Sequence, residues 1–323
     1  MTRGLAELST GFCSNWRERC RAVLVVIGLG GNALLRRDDP MEANVQRMNV
    51  RAAAASVAQI AQDHAVVITH GNGPQVGLLA LQAQTYTQVR PYPLDILSAE
   101  TEGMLGYIIG QELQNYLPGR KIATLLTQVE VHPADPAFTH PEKPIGPRYN
   151  RAEAQQLAEK YAWNMAQIGE EYRRVVASPE PRWILELDTI KLLLEAEAVV
   201  ICAGGGGIPV VPNAAGGFSG VEAVIDKDLS SALLARALHA DRLLLLTDVD
   251  AVYSEWGSSS AIPLLEAKPS WLRKQSFEPG SMGPKVEAAC RFVEQTGKGA
   301  MIGRLADAME LLEGRAGTRI VPD

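Results

Sequence analysis

Residues 21–37, RAVLVVIGLGGNALLRR, set an unbroken apolar run against a cluster of glycines. The run from Val23 to Ile27 reads as a strand buried on both faces, because no polar residue interrupts it. Gly28-Leu29-Gly30-Gly31-Asn32 then reads as a turn whose backbone can press against a ligand. The spacing Gly28-x-Gly30-x-x-Ala33 also fits a loose dinucleotide fingerprint, which seats a pyrophosphate on a helix N-terminus. Such a site needs an acidic residue about 20 positions further on, at the end of the second strand. Here that strand, HAVVITH, ends at His70 and enters Gly71-Asn72-Gly73 without a carboxylate, while Asp38 and Asp39 come too early. A P-loop is excluded as well, since the chain contains no G-x-x-x-x-G-K-[ST].

From this opening the chain keeps a βα rhythm. A helical stretch from about Met41 to Gln62 precedes HAVVITH; SAETEGMLGYIIGQELQNYL reads as a helix and KIATLLTQ as a strand. DTIKLLLEAE leads into AVVICAGGGG, KDLSSALLARALHA into RLLLLTDVDAVY, and KVEAACRFVEQTG into GAMIG. The alternation predicts an α/β fold with a mostly parallel sheet and helices on both faces. Two stretches break the rhythm. Residues 132–183 are dense in proline and read as an inserted, protruding subdomain, and IPVVPNAAGGFSGVEAVI reads as a hairpin.

The composition narrows the function classes. A chain of 323 residues that is 46% hydrophobic, with net charge −6, has neither the basic surface of a nucleic-acid binder nor an apolar run long enough for a membrane span. Cys13, Cys20, Cys202 and Cys290 lack paired C-x-x-C spacing, which argues against structural zinc and a disulfide framework. Residues 1–20, rich in arginine and hydroxyl residues but carrying Glu7 and Glu18, read as an extension outside the folded domain at 21–323.

Three glycine-rich turns each follow an apolar strand: Gly30-Gly31-Asn32, Gly71-Asn72-Gly73 and Gly204 to Gly207. In an open parallel sheet the carboxyl ends of the strands share one edge, so these turns can converge on a single crevice. Backbone N–H groups would cradle an anion there, with Asn32 and Asn72 adding amide donors. Lys227 and Asp228 open a helix just beyond a strand end; Asp226 and Asp228 can serve as helix caps, which leaves the early lysine unexplained.

Read together, GGNALL, HGNGPQVG, LTQVEVHPADPAF, KPIGP, CAGGGGIPVV, GVEAVIDKDL, LTDVDAVY and GSMGPKVEAACRFVE resemble the carbamate kinases of the amino-acid-kinase superfamily, in order over residues 22–321. The resemblance implies a three-layer αβα sandwich with about eight mainly parallel strands, a protruding subdomain near 132–183, and a cytoplasmic homodimer. It also implies reversible phosphoryl transfer between carbamoyl phosphate and MgADP, giving MgATP and carbamate, in fermentative arginine or carbamoyl phosphate catabolism. One departure is Gly28, where the family usually has alanine, so the apparent dinucleotide fingerprint is accidental.

Carried over residue by residue, the resemblance makes Lys143, Lys227 and Asp228 the catalytic set. Gly30, Gly31, Asn32, Gly71, Asn72, Gly73, Gly205 and Gly206 become the phosphate and substrate cradle. The nucleotide falls to Lys227, Asp248, Val249, Tyr253, Met282 and Lys285. Mg²⁺ is expected with the nucleotide, and its protein ligands stay undetermined: Asp248 and Asp250 either ligate it or, with Tyr253, shape the nucleoside pocket. His70 reads as a turn-stabilising residue rather than a general base, because carbamate is already anionic. Two alternatives are another carboxylate kinase of the superfamily and a catalytically silent nucleotide-binding protein.

Overall fold

In this computed structural model residues 22–35, 39–255, 260–278 and 280–323 are described. The opening stretch forms a strand at Leu24–Leu29, and this strand lies in the middle of an eight-stranded sheet. Across the sheet the order is Glu266–Ala267, Thr318–Ile320, Ala300–Arg304, Arg242–Thr247, Leu24–Leu29, Ala65–His70, Val199–Ile201, Ile122–Thr124. All pairs are parallel except Ala300–Arg304 with Thr318–Ile320.

Side chains on a strand alternate between faces, and here each face carries its own core. On one side Val26, Val67, Leu243 and Leu245 pack with Ala232 and Ala235 of the helix Lys227–Ala237 and Phe292 and Val293 of the helix Met282–Thr296. On the other, Val25, Ile27, Ile68 and Leu244 pack with Val50, Ala54 and Val57 of Ala43–Asp63 and Leu105, Ile109 and Leu113 of Leu94–Tyr116. Covered on both sides, the central strands need apolar residues at every position. The mostly parallel sheet with helices on both faces expected from the rhythm is therefore present, and with it the αβα sandwich that the resemblance implied.

Three local expectations need correction. The strand extends to Leu29, so Gly28 belongs to the sheet rather than to the turn. A Cβ there would lie 3.0 Å from Leu245 Cδ2 and 3.2 Å from Ser231 Oγ, so the position tolerates little bulk. KIATLLTQ is strand only at Ile122–Thr124, and the chain then moves to a second sheet through Gln128–Val131. RLLLLTDVDAVY is likewise divided, into Arg242–Thr247 and a short strand Val252–Ser254 paired with Ile262–Leu264.

The second sheet joins Gln128–Val131, Pro181–Ile184, Ile208–Pro212 and Phe218–Gly220, the last two forming the expected hairpin. Beyond it, residues 143–176 make a separate three-stranded antiparallel sheet, Lys143–Tyr149, Met165–Ile168 and Glu171–Val176, with the helix Arg151–Tyr161 against it. The capping box of Asn150 and Glu153 starts that helix. This small sheet is seated on the helix Gly73–Ala83 through two glycines: a Cβ on Gly77 would lie 2.0 Å from Gly146 Cα. No side chain fits between them, so the backbone of KPIGP is held against that of GPQVG.

Candidate active site

The three turns meet at the carboxyl edge of the sheet. Gly30 N–H donates to Leu246 O at 2.9 Å and Gly71 N–H to Leu29 O at 3.2 Å, extending both ladders past the strand ends. A Cβ on Gly71 would lie 3.3 Å from Gly31 Cα and 3.4 Å from Lys227 Cδ, so two turns and the lysine are in contact. One on Gly205 would strike the Asn72 side chain, 2.2 Å from its Cγ, which places the third turn against the second. The amide of Asn32 lies outside the described side chains. That of Asn72 is buried and donates to Thr101 Oγ1 at 2.9 Å, which ties the second turn to the helix Leu94–Tyr116.

Asp226 caps the helix Lys227–Ala237, its Oδ1 accepting the N–H groups of Asp228 at 2.9 Å and Leu229 at 3.3 Å. Its other oxygen pairs with Lys143, which reaches in from the protruding sheet. Lys227 pairs with Asp228 Oδ1, and Lys285, at the start of Met282–Thr296, donates to Asp228 Oδ2 at 3.2 Å. Two carboxylates thus hold three ammonium groups from three separate parts of the chain. Asp226 is the member of this set that sequence reasoning had left as a cap; its signal was the second acid flanking Lys227.

Electrostatics follow from this packing. Burial pushes the Lys227 ammonium down to about 8, against the partial support of Asp228. For Lys285 burial also opposes the charge, but Asp228 and Asp226 outweigh it and raise its pKa. Burial likewise opposes ionisation of Asp226, and the Lys143 ammonium, backed by Lys227 and Lys285, holds its carboxyl far below the usual range. His70, fully buried, is pushed down to about 4 and is a neutral imidazole whose Nδ1 bonds Gly71 O at 3.2 Å. That contact is local to the turn, and the His70 Nε2 is buried without a hydrogen-bond partner among the described residues.

Gly73 and Gly280 face the subdomain, with Pro144 O and Pro144 Cγ each 3.9 Å from where their Cβ atoms would sit. Asp248 is exposed and accepts the Thr247 hydroxyl at 3.0 Å; Lys285 feels its charge. Val249 and Met282 are half-buried, and the half-buried Tyr253 donates its hydroxyl to Asp250 at 3.0 Å. These four residues and Asp250 lie past the strand Arg242–Thr247 or at the start of Met282–Thr296, the helix that carries Lys285. Among the described residues no group of three or more His, Cys, Asp or Glu side chains is placed to hold a metal, and no helix is long and apolar enough to cross a membrane.

Such an arrangement, clustered ammonium groups beside glycine turns at a sheet edge, suits a ligand with several phosphate oxygens. Comparison with known proteins points the same way. The amino acid kinase family model matches residues 23–304. Carbamate kinases of Haemophilus influenzae and Rhizobium meliloti are each 54% identical, over 92% of this chain and 96% and 92% of theirs. The solved carbamate kinase of Giardia lamblia bound to AMP-PNP is 39% identical and superposes with a TM-score of 0.85, over 94% of this chain and 99% of that one. The chain therefore belongs to the amino acid kinase family, among its carbamate kinases, and is a phosphotransferase.

Proposed function

We propose that the protein catalyses reversible phosphoryl transfer between carbamoyl phosphate and MgADP, forming MgATP and carbamate. The observation that carries this reading is the meeting of Lys143, Lys227 and Lys285 on Asp226 and Asp228 beside the glycine turns. A β-phosphate oxygen of ADP attacks the phosphorus, the bond from phosphorus to the carbamate oxygen breaks, and carbamate leaves as an anion. No proton has to move, so the step requires no general base, which agrees with a buried His70 whose pKa burial lowers to about 4. What the step needs is alignment and positive charge around the equatorial oxygens.

Lys227 is assigned to the transferred phosphoryl group, Lys143 to carbamoyl phosphate from above, and Lys285 to the nucleotide phosphates. Asp228 orients Lys227 and Lys285 by taking one on each oxygen. Gly30, Gly31, Gly71, Gly73, Gly205 and Gly206 let the backbone approach the phosphate, and Asp248, Val249, Tyr253 and Met282 border the nucleoside. The donor set fits a Mg²⁺ held mainly by phosphate oxygens, because Asp228 is committed to two ammonium groups and the described residues build no cluster of three metal-ligating side chains. When bound, that ion supplies charge neutralisation across the phosphates.

The inserted residues 132–183 act as a lid that excludes water and so protects carbamoyl phosphate from hydrolysis. Homodimeric assembly, a cytoplasmic location and a place in arginine or carbamoyl phosphate catabolism belong to the same proposal. The test is incubation with MgADP and carbamoyl phosphate, with acetyl phosphate as an alternative donor and, in the reverse direction with MgATP, acetylglutamate as an alternative acceptor. ATP formation specific to carbamoyl phosphate supports the reading; ATP from acetyl phosphate at the same rate, or none, overturns it.

A further inference from the structure

The turn that ends the strand Val199–Ile201 has an unusual backbone. Ala203 sits at φ +49, and Gly205, Gly206 and Gly207 at +67, +97 and +92. A left-handed alanine is strained and persists only when its surroundings enforce it. The enforcing contacts come from Glu102, in the helix Leu94–Tyr116, and from Thr127, between the strands Ile122–Thr124 and Gln128–Val131. Glu102 Oε1 accepts Gly204 N–H at 2.7 Å and its Oε2 accepts Thr127 N–H at 3.1 Å, while the Thr127 hydroxyl accepts Ala203 N–H at 2.9 Å. The neighbouring Thr101 accepts the amide of Asn72 at 2.9 Å and returns its own proton to Ser98 O at 2.9 Å. Asn72 in turn blocks any Cβ on Gly205, as His70 and Glu102 do on Gly204.

Glu102 is 1% exposed and has no lysine or arginine partner among the described residues. Burial pushes its pKa up to about 8, and the N–H groups of Thr127 and Gly204 pull it only part-way back. Stability alone is poorly served by such a residue, because a buried carboxyl group without an ionic partner, neutral or ionised, carries a desolvation cost that an apolar side chain avoids. Its two acceptor oxygens instead match two backbone donors that must stay fixed relative to each other. Consecutive residues of one rigid helix therefore grip two of the three glycine turns, Gly71–Gly73 through Asn72 and Gly204–Gly207 directly.

We propose that Thr101 and Glu102 are positioning residues of the transfer site: they set the register of these two turns so that both meet the same phosphoryl group. The assignment rests on the proposed reaction for its kinetic consequence, and on geometry alone for its structural one. Glu102→Gln replaces one acceptor oxygen by an NH₂ that cannot take a backbone proton, and Thr101→Val keeps the shape without the hydroxyl. Each is expected to raise KM for carbamoyl phosphate or lower kcat by roughly tenfold or more, with KM for MgADP within about threefold, since a small misplacement of a cradle is costly. Thr101→Ser should restore the wild-type values. Hydrogen exchange should quicken at 203–207 in Glu102→Gln and at 71–73 in Thr101→Val, with the strand Leu24–Leu29 unchanged.

Kinetics like the wild type, or equal losses toward both substrates together with a lower Tm, overturn the proposal. If Glu102→Gln does not fold, the Thr101→Val and Thr101→Ser pair decides it by the same criteria. If the wild type forms no ATP from carbamoyl phosphate, the proposed reaction has failed, and the exchange measurement decides the positioning role. Faster exchange confined to the turns then upholds that role, and unchanged exchange removes it.

Discussion

Replacing Lys227 by alanine tests the central assignment most directly. Its side chain is almost buried, opens the helix Lys227–Ala237, and touches the turn at Gly71. In such a water-poor cleft one donor aimed at developing charge contributes on the order of 3–4 kcal/mol to the transition state, which corresponds to a loss of roughly 10²–10³ in kcat. The fold should survive, because Asp228 keeps Lys285 at 3.2 Å and is not left as a bare buried charge. ADP binding, measured by calorimetry, is retained. Lys227→Arg restores the charge as a planar fork in place of a compact ammonium, and recovers only part of the rate. The assay is ATP formation from MgADP and carbamoyl phosphate. A folded Lys227→Ala protein that keeps more than about a tenth of wild-type kcat refutes the assignment and shifts the phosphoryl contact to Lys143 or Lys285.

Other outcomes follow from the same geometry. Because burial lowers Lys227 to about 8 from 10.5, kcat/KM of the free enzyme should fall as pH rises through about 8, and Lys227→Arg should abolish that limb. Anionic substrate raises the ammonium's pKa, so the matching limb in kcat lies higher. Between about 8 and 10.5 the unfolded chain binds the more protons at this group, so its contribution to stability rises with pH across that window, as pH-dependent urea titrations can show. Lys143→Ala should raise KM for carbamoyl phosphate more than for MgADP; equal shifts, or none, contradict its place over the substrate. Gly205→Ala, at φ +67 and with Asn72 Cγ 2.2 Å from the new methyl, should cut kcat/KM by about a hundredfold and lower Tm, whereas normal kinetics would separate this turn from the site. Deleting residues 2–20 should leave rate and Tm nearly unchanged, since the family match begins at residue 23; a large loss of either would show that the segment docks on the domain.

Much of the molecule was legible along the chain. Apolar runs such as residues 23–27 and 243–246, spaced by amphipathic stretches, follow from local periodicity, and periodicity is decided within one element. The same holds for the three glycine turns, each placed by the strand before it, and for Lys227 at a helix start. The length of the strand through Gly28 was not legible, because glycine signals a turn or a tight packing position equally well. Only the neighbours Leu245 and Ser231 reveal which of the two applies.

What the tertiary structure alone decided are the pairings across long stretches of chain. Lys143 meets Asp226 over 83 positions, Lys285 meets Asp228 over 57, and Glu102 meets Gly204 over 102. Nothing in the local pattern singles out Glu102, which lies within an ordinary helical stretch, and the second acid beside Lys227 marks Asp226 without telling that its ion-pair partner is Lys143. Gly77 against Gly146 is the same kind of fact, because a close approach of two backbones has no signature in either segment by itself. Residue type and spacing can say which groups are available. Their partners, and the burial that drives Lys227, Glu102 and His70 away from their usual pKa values, arise only when the sheet order brings distant turns to one edge and excludes water from between them.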